Sequence, residues 1–238
     1  MISFDFKYIF YYWPKMLPYL GVTFLVVVLS FIFSLALGTL LAAGKIRKNI
    51  LARAFASGYT TIMRCTPSVV LLFIVYYGLP VVVYAVFHVD INYIYKGVFV
   101  IITLALLNAA PLSEVIRSAY LSIDKGQYEA AVCVGLTPFD AFRRVLFPQL
   151  FYVMLPNIGN SILALTKEGT LAFTISYIDI TGKAQLIVSN AFGAHSREVY
   201  LGLAIIYLMI TLTLEFGFKK TERYFSGGKT APHGAGTA

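Results

Sequence analysis

Five predominantly apolar runs, at 20–43, 67–87, 94–112, 147–165 and 200–218, leave this chain little choice of fold. Each has about the length a helix needs to cross a hydrocarbon core roughly 30 Å thick, about 20 residues. No water in that core can hydrogen-bond a bare backbone, so a single spanning run must satisfy its own peptide groups and does so as an α-helix. With 59% hydrophobic and 13% charged residues, the sequence reads as an all-α integral membrane protein. One domain over 1–226 holds about five transmembrane helices, and the small-residue tail at 227–238 has the composition of a flexible end.

Five crossings put the termini on opposite sides, and the basic residues orient them. Of 19 Lys and Arg, 13 fall on one side, including Lys45, Arg47, Lys48, Arg53, Arg64, Arg143 and Arg144, and 6 on the other. The richer side is read as cytoplasmic, with the N-terminus outside and the C-terminus inside. A net charge of +8 thus meets anionic headgroups, and nucleic acid is not expected as a partner.

Between the spans the pattern changes. The opening MISFDFKYIFYYWPK lacks the plan of a removable signal peptide, and its Tyr8, Tyr11, Tyr12 and Trp13 predict a short interfacial helix. Leu51, Phe55, Tyr59, Ile62 and Met63 recur at helical spacing, predicting a second amphipathic helix in the interface, ended by Pro67. The segment 167–197 is too polar to span and too apolar for a plain loop, so it is expected to dip partway in against protein.

Catalytic signatures are missing. His88, His195 and His233 are scattered without metal-ligand spacing, and no GxSxG elbow occurs. GGKT in the tail ends like a phosphate-binding loop, but Arg223 stands where that loop needs glycine and no strand precedes it. Cys65 and Cys133 lie on the inner side, where thiols stay reduced, so neither a disulfide nor a metal is expected.

The stretch EAAVCVGLTPFDAFRRVLFP, 129–148, is built differently. Glu129, Ala130 and Ala131 favour a short helix that Gly135 can end in a left-handed conformation. Thr137, Pro138 and Asp140 then read as an N-cap, an N1 proline and a capping acid. Two short helices meeting at a sharp turn make a rigid inner knob suited to a groove on another protein, whereas anchoring would ask for a continuous apolar stripe.

These residues carry a resemblance. Glu129-Ala130-Ala131, Gly135, Val145 and Phe147-Pro148 resemble the EAA pattern of permease subunits in ATP-binding cassette (ABC) importers, with Val145 for Ile and Phe147 for Leu. Arg64-Cys65-Thr66-Pro67 is similar to RGTP. Glu114, Arg117, Ser122-Ile123, Gly126-Gln127 and Lys167-Glu168-Gly169-Thr170-Leu171 match further patterns of the polar amino acid permeases, with Cys65 and Gly169-Thr170 as departures.

The resemblance implies a type I (MetI-like) importer permease fold and transport of polar amino acids, or derivatives such as cystine, by alternating access. The coupling region, 126–144, would seat in a separate ATPase, with Gln127, Glu129, Ala130, Ala131 and Gly135 at the contact. The implied partners are a second permease chain, identical or paralogous, two ABC ATPase subunits that bind the ATP and Mg, an external substrate-binding protein and the lipid bilayer. No cofactor is implied in this chain, nor any enzymatic activity of its own. Another small solute, or an ATP-independent channel or structural membrane protein, is the alternative.

Two sets of polar residues remain. Glu114 and Arg117 lie one turn apart at the inner end of the third span, with Arg64 expected to approach them, as an inner gate or as a structural ion pair. Thr103, Asn108, Asn157, Asn160 and Ser161 fall near the midplane, as ligand contacts or as interhelical hydrogen bonds. Glu168, with Lys167, is expected at the outer end, at the entrance or the binding-protein dock.

Overall fold

The structure, a computed structural model, describes residues 4–225, in which every regular element is helical. The tail at 227–238 lies outside the described residues. Helix α1 (Lys7–Met16) passes through one 3-10 turn, Leu17–Tyr19, into α2 (Leu20–Ile46). Asn49 caps α3 (Ile50–Cys65), its side-chain oxygen accepting from the Leu51 and Ala52 amides at 2.9 and 3.3 Å. Thr66 and Pro67 are extended, as the steric demand of proline on its neighbour requires. Then come α4 (Ser68–Phe73), a π-helical turn at Ile74–Gly78 and α5 (Leu79–Phe87).

After α6 (Lys96–Ser122) follow α7 (Lys125–Cys133) and α8 (Pro138–Ala141), the second running through a π-helical turn, Phe142–Leu146, into α9 (Phe147–Glu168). A 3-10 segment, Gly169–Ile175, leads to α10 (Ile180–Asn190) and α11 (Ser196–Phe225).

Helix α6 is the centre of the bundle: 56% of its most apolar stretch is buried within the chain, against 28% for α2 and 22% for α11. Helices α2 and α6 run parallel. Val26 and Val27 cluster with Val100 and Leu104, Ser34 meets Asn108, and Lys45 meets Ser113 and Glu114. Gly38 lets the two backbones close up, since a Cβ there would stand 3.3 Å from the Ala109 carbonyl oxygen and 3.4 Å from Leu112 Cβ.

The first half of α11 packs with Met16, Ile180 and Ala184 beside the start of α2, so α11 points the same way as α2. Helix α9 runs opposite, its Leu165 near its C-terminal end packing on Val26 and Val100. The chain therefore crosses five times in alternation. The N-terminal residues, α1 and α10 sit at one end of the bundle, the α7–α8 elbow and the end of α11 at the other.

The structure corrects the expectation of a second interfacial helix. Helix α3 climbs between α2 and α6: Ala56 packs on Leu41 and Ala109, Tyr59 Oη donates to the Leu106 carbonyl at 2.8 Å, and Met63 reaches Leu107. It forms the elbow-side half of a crossing that α4 and α5 complete. The reason is the solvent. Small and hydroxyl side chains, Ala56 and Thr60, fit against Gly44 and α2–α6, while Ile50, Leu51 and Phe55 stay 80, 81 and 73% exposed for lipid. Amphipathicity that would seat a helix flat on a membrane here seats it inside one.

Among the described residues, four segments are long and apolar enough to span: Lys7–Ile46, Ser68–Phe87, Lys96–Ser122 and Ser196–Tyr224. Helix α9 has the length, 22 residues or about 33 Å, but Gln149, Asn157, Asn160, Lys167 and Glu168 reduce its hydropathy.

Candidate functional site: an exposed elbow and a polar face at mid-depth

The elbow is closed by hydrogen bonds at both corners. Asp124 caps α7, its Oδ1 accepting from the Gly126 amide at 2.8 Å. Beyond the last turn Gly135 takes φ +91°, where an L side chain is strained, and its amide donates to Val132 O at 3.0 Å while Leu136 N donates to Ala131 O at 3.2 Å. Thr137 then caps α8: its Oγ1 accepts from the Asp140 amide at 3.1 Å and donates to Asp140 Oδ2 at 2.8 Å. The turn chemistry predicted from Gly135, Thr137, Pro138 and Asp140 is present, with α7 starting four residues before Glu129.

Ala131 is buried, whereas Glu129 and Ala130 are exposed and Val134 and Phe139 stand 81 and 69% exposed. The result is a stiff, partly apolar knob. Gln127 faces the other way: its Oε1 accepts from Gln149 Nε2 at 2.5 Å, tying α7 to the foot of α9.

Glu114 and Arg117 form the expected ion pair, Arg117 Nε to Glu114 Oε2 at 2.8 Å. The third partner is Lys45, not Arg64. Lys45 Nζ, its side chain 4% exposed, reaches Glu114 Oε1 at 2.7 Å, Thr60 Oγ1 at 2.5 Å and Ser113 Oγ at 2.9 Å. An ammonium has three protons, and all three find acceptors on α3 and α6.

Arg64 lies nearer mid-depth, because α3 enters the bundle. It lines a cavity of about 230 Å³ together with Met63, Thr66, Leu107, Asn108, Pro111 and Glu168. Its departure from the basic side leaves the sign of the charge asymmetry unchanged. Glu168 is likewise not at the outer end. The end of α9 meets the middle of α6, and a smaller hollow there is lined by Thr103, Leu104, Leu107 and Glu168. Pro111 has no amide proton, so the Leu107 carbonyl lacks its helical donor beside that acid.

The remaining polar candidates divide. Asn108 is buried and its Nδ2 donates to Ser34 Oγ at 2.8 Å, a bond between α6 and α2, while the residue also lines the cavity. Thr103 is buried and bonds back to the Phe99 carbonyl at 2.8 Å. Ser161 is buried. Asn157 and Asn160 are exposed and belong to a single stripe on α9, Val153, Asn157, Asn160, Ala164 and Glu168, at helical spacing. That face is too polar for lipid and has no cover among the described residues.

Asp179, between α9 and α11, was not singled out by the sequence. It caps α10, with Oδ1 accepting from Gly182 N at 2.8 Å and the Thr23 hydroxyl 3.4 Å from Oδ2. Burial pushes its carboxyl up to about 6, against the pull of those hydrogen bonds.

Over residues 34–222 the sequence matches the family described as binding-protein-dependent transport system inner membrane component. The L-cystine transport system permease protein TcyL of Bacillus subtilis (strain 168) is 35% identical over 96% of this chain and 94% of the relative. The histidine/lysine/arginine/ornithine transport system permease protein HisQ of Escherichia coli (strain K12) is 30% identical over 87% of this chain and 91% of the relative. A crystal structure of an amino acid ABC transporter with histidines superposes with a TM-score of 0.78 at 28% identity, covering 94% of this chain and 100% of that one.

Proposed function

The chain belongs to the family of binding-protein-dependent transport system inner membrane components, and from that premise we propose that it is the permease subunit of an ATP-driven importer for polar amino acids, cystine among them. The observation that carries the coupling half of this reading is the elbow, with its knob of exposed side chains at the end of the bundle rich in Lys and Arg. The permease relatives named for amino acids and cystine support the substrate class.

The stripe from Val153 to Glu168 on α9 is the surface that a second permease chain completes across a two-fold axis, making one pathway from two polar faces. At mid-depth Glu168 and the Leu107 carbonyl, which lacks its i+4 donor at Pro111, offer acceptors to an ammonium, and Arg64 offers a fork to a carboxylate. Those are the two groups every amino acid carries. Asn108, Thr103 and Ser161 hold the helices that frame this space.

Glu129, Ala130 and Gly135, with the exposed Val134 and Phe139, make the contact with an ATPase subunit on the cytoplasmic side, while Ala131 is buried beneath them and Gln127 holds α7 to α9; a pair of such ATPases binds ATP and Mg. An external substrate-binding protein docks at the α1–α10 end, with the N-terminus outside and the C-terminus inside the prokaryotic cell. The chain needs no cofactor and catalyses no reaction itself; Glu114, Arg117 and Lys45 fasten the inner ends of α2, α3 and α6.

The test is uptake of a panel of labelled amino acids by vesicles holding the chain with its cognate ATPase and binding protein. ATP-dependent accumulation of a polar amino acid is the expected result. Uptake indifferent to ATP, an ATPase that fails to crosslink to a cysteine at Val134, or accumulation of a different class of solute would refute the reading.

A further inference from the structure

At the elbow end a hollow of about 470 Å³ opens between α2, α3 and α6, lined by Lys45, Arg53, Glu114, Arg117 and the apolar Ile46 and Leu121. Its charges do not balance. Three cations face one carboxylate, and both oxygens of that carboxylate are already engaged, Oε1 by Lys45 and Oε2 by Arg117. Lys45 has spent its protons on Thr60, Ser113 and Glu114. The Arg53 side chain has no ion pair or hydrogen bond among the described residues, and Arg117 engages Glu114 through Nε, leaving the two-pronged end of its guanidinium for another acceptor.

We propose that this hollow is a binding site for the phosphate headgroup of an anionic phospholipid, held between the guanidinium groups of Arg53 and Arg117. Guanidinium matches phosphate oxygens two at a time, and basic pockets between transmembrane helices suit acidic headgroups. The surroundings select a lipid over a free anion. Ile50, Leu51 and Leu121, next to the basic residues, are 80, 81 and 58% exposed, an apolar border along which acyl chains can lie. General attraction of basic loops to the membrane is a different effect, supplied by Arg47 and Lys48 in the turn. Arg53 and Arg117 instead stand on two helices that Lys45 and Glu114 lock together, so a headgroup would tie α3 to α6 from outside as Lys45 does from within.

The experiment is native mass spectrometry of the purified protein, in the oligomeric form in which detergent extracts it, titrated with phosphatidylglycerol, phosphatidylcholine and inorganic phosphate. The expected result is retention of phosphatidylglycerol in preference to phosphatidylcholine, undisturbed by millimolar phosphate. In Arg53→Gln, which breaks no intramolecular bond and leaves the fold intact, apparent affinity for phosphatidylglycerol should fall about tenfold, the scale of one charge-assisted contact. Equal binding of the two lipids, or unchanged affinity in Arg53→Gln, would overturn the site. Displacement of phosphatidylglycerol by phosphate would overturn its assignment to a lipid.

Discussion

Lys45 and Glu114 make a sharp prediction because their burial is unequal. Lys45's side chain is 4% exposed and Glu114's 36%. Removing Lys45 leaves Glu114 with Arg117 at 2.8 Å and with access to solvent. Glu114→Gln, by contrast, leaves an ammonium sealed among Thr60, Ser113 and a neutral amide. An uncompensated buried charge costs about 3–5 kcal/mol, whereas replacing both partners with neutral groups of similar shape is often near neutral. Glu114→Gln should therefore destabilise by about 3–5 kcal/mol and Lys45→Met by less, and the double variant should recover most of the loss. At about 2–4 °C per kcal/mol for a chain of this size, the Glu114→Gln drop is on the order of 10 °C in a thermal melt of the detergent-solubilised protein. A Glu114→Gln melt no lower than that of Lys45→Met, or losses that simply add in the double variant, would show that the buried ammonium is not what makes this cluster expensive to break.

Three further outcomes are expected. Gly135→Val meets no atom within 4 Å but forces a β-branched residue to φ +91°, at a cost of about 1–2 kcal/mol; membrane insertion should persist while uptake and binding-protein-stimulated ATPase activity fall together, and Gly135→Asn, which tolerates positive φ, should retain more of both. Glu168→Gln should weaken apparent substrate affinity about tenfold by removing the charged acceptor, with melting temperature little changed, as read from uptake kinetics and a melt. Asp179, raised to about 6 in the fold against an ordinary carboxylate near 3.9, binds its proton more tightly in the native state, so stability should rise as pH is lowered from about 6 to 4, by about 3 kcal/mol in all; in Asp179→Asn that slope should vanish, and a slope equal to the parent's would assign it to other groups.

The bundle was legible where one local rule decides. Apolar runs predicted the crossings because a bilayer admits few other structures, and the elbow was readable down to its caps because Gly135, Thr137, Pro138 and Asp140 each act within three or four residues. What the sequence hid were relations between distant residues. The large apolar face of α3 has the same period whether it lies on a membrane or looks outward into one, so only its fit against Gly44 and Ala109 decides the matter. Lys45, in the last turn of a greasy helix, reads as a snorkelling cation until Thr60, Ser113 and Glu114 are seen around it. Arg64 and Glu168 read as belonging to opposite ends only so long as distance along the chain stands for depth. A break at Pro67 and the meeting of α9 with the middle of α6 bring both to one cavity.

Two mechanical units follow from these contacts. Helices α2, α3 and α6 are joined by Gly38, by Tyr59 on Leu106 and by the Lys45 cluster, so they resist sliding past one another. Helix α9 is attached differently. Helix α8 enters it through the π-helical turn at Phe142–Leu146, and α7 holds its foot through Gln127 and Gln149. A push on the elbow is therefore delivered first to α9, and the residues displaced are those of the exposed stripe, Asn157, Asn160 and Glu168, while the other half of the cavity, Arg64 and Asn108, stays with the fixed unit. Arg64 and Glu168 would then separate as the elbow moves, and a site built from both would hold its ligand in one position of α9 and release it in another. Spin labels at the exposed neighbours Cys65 and Lys167→Cys, with Cys133→Ser to remove the other thiol, would show a change in separation when ATP is added to the complex; a constant separation alongside active transport would place the moving boundary elsewhere.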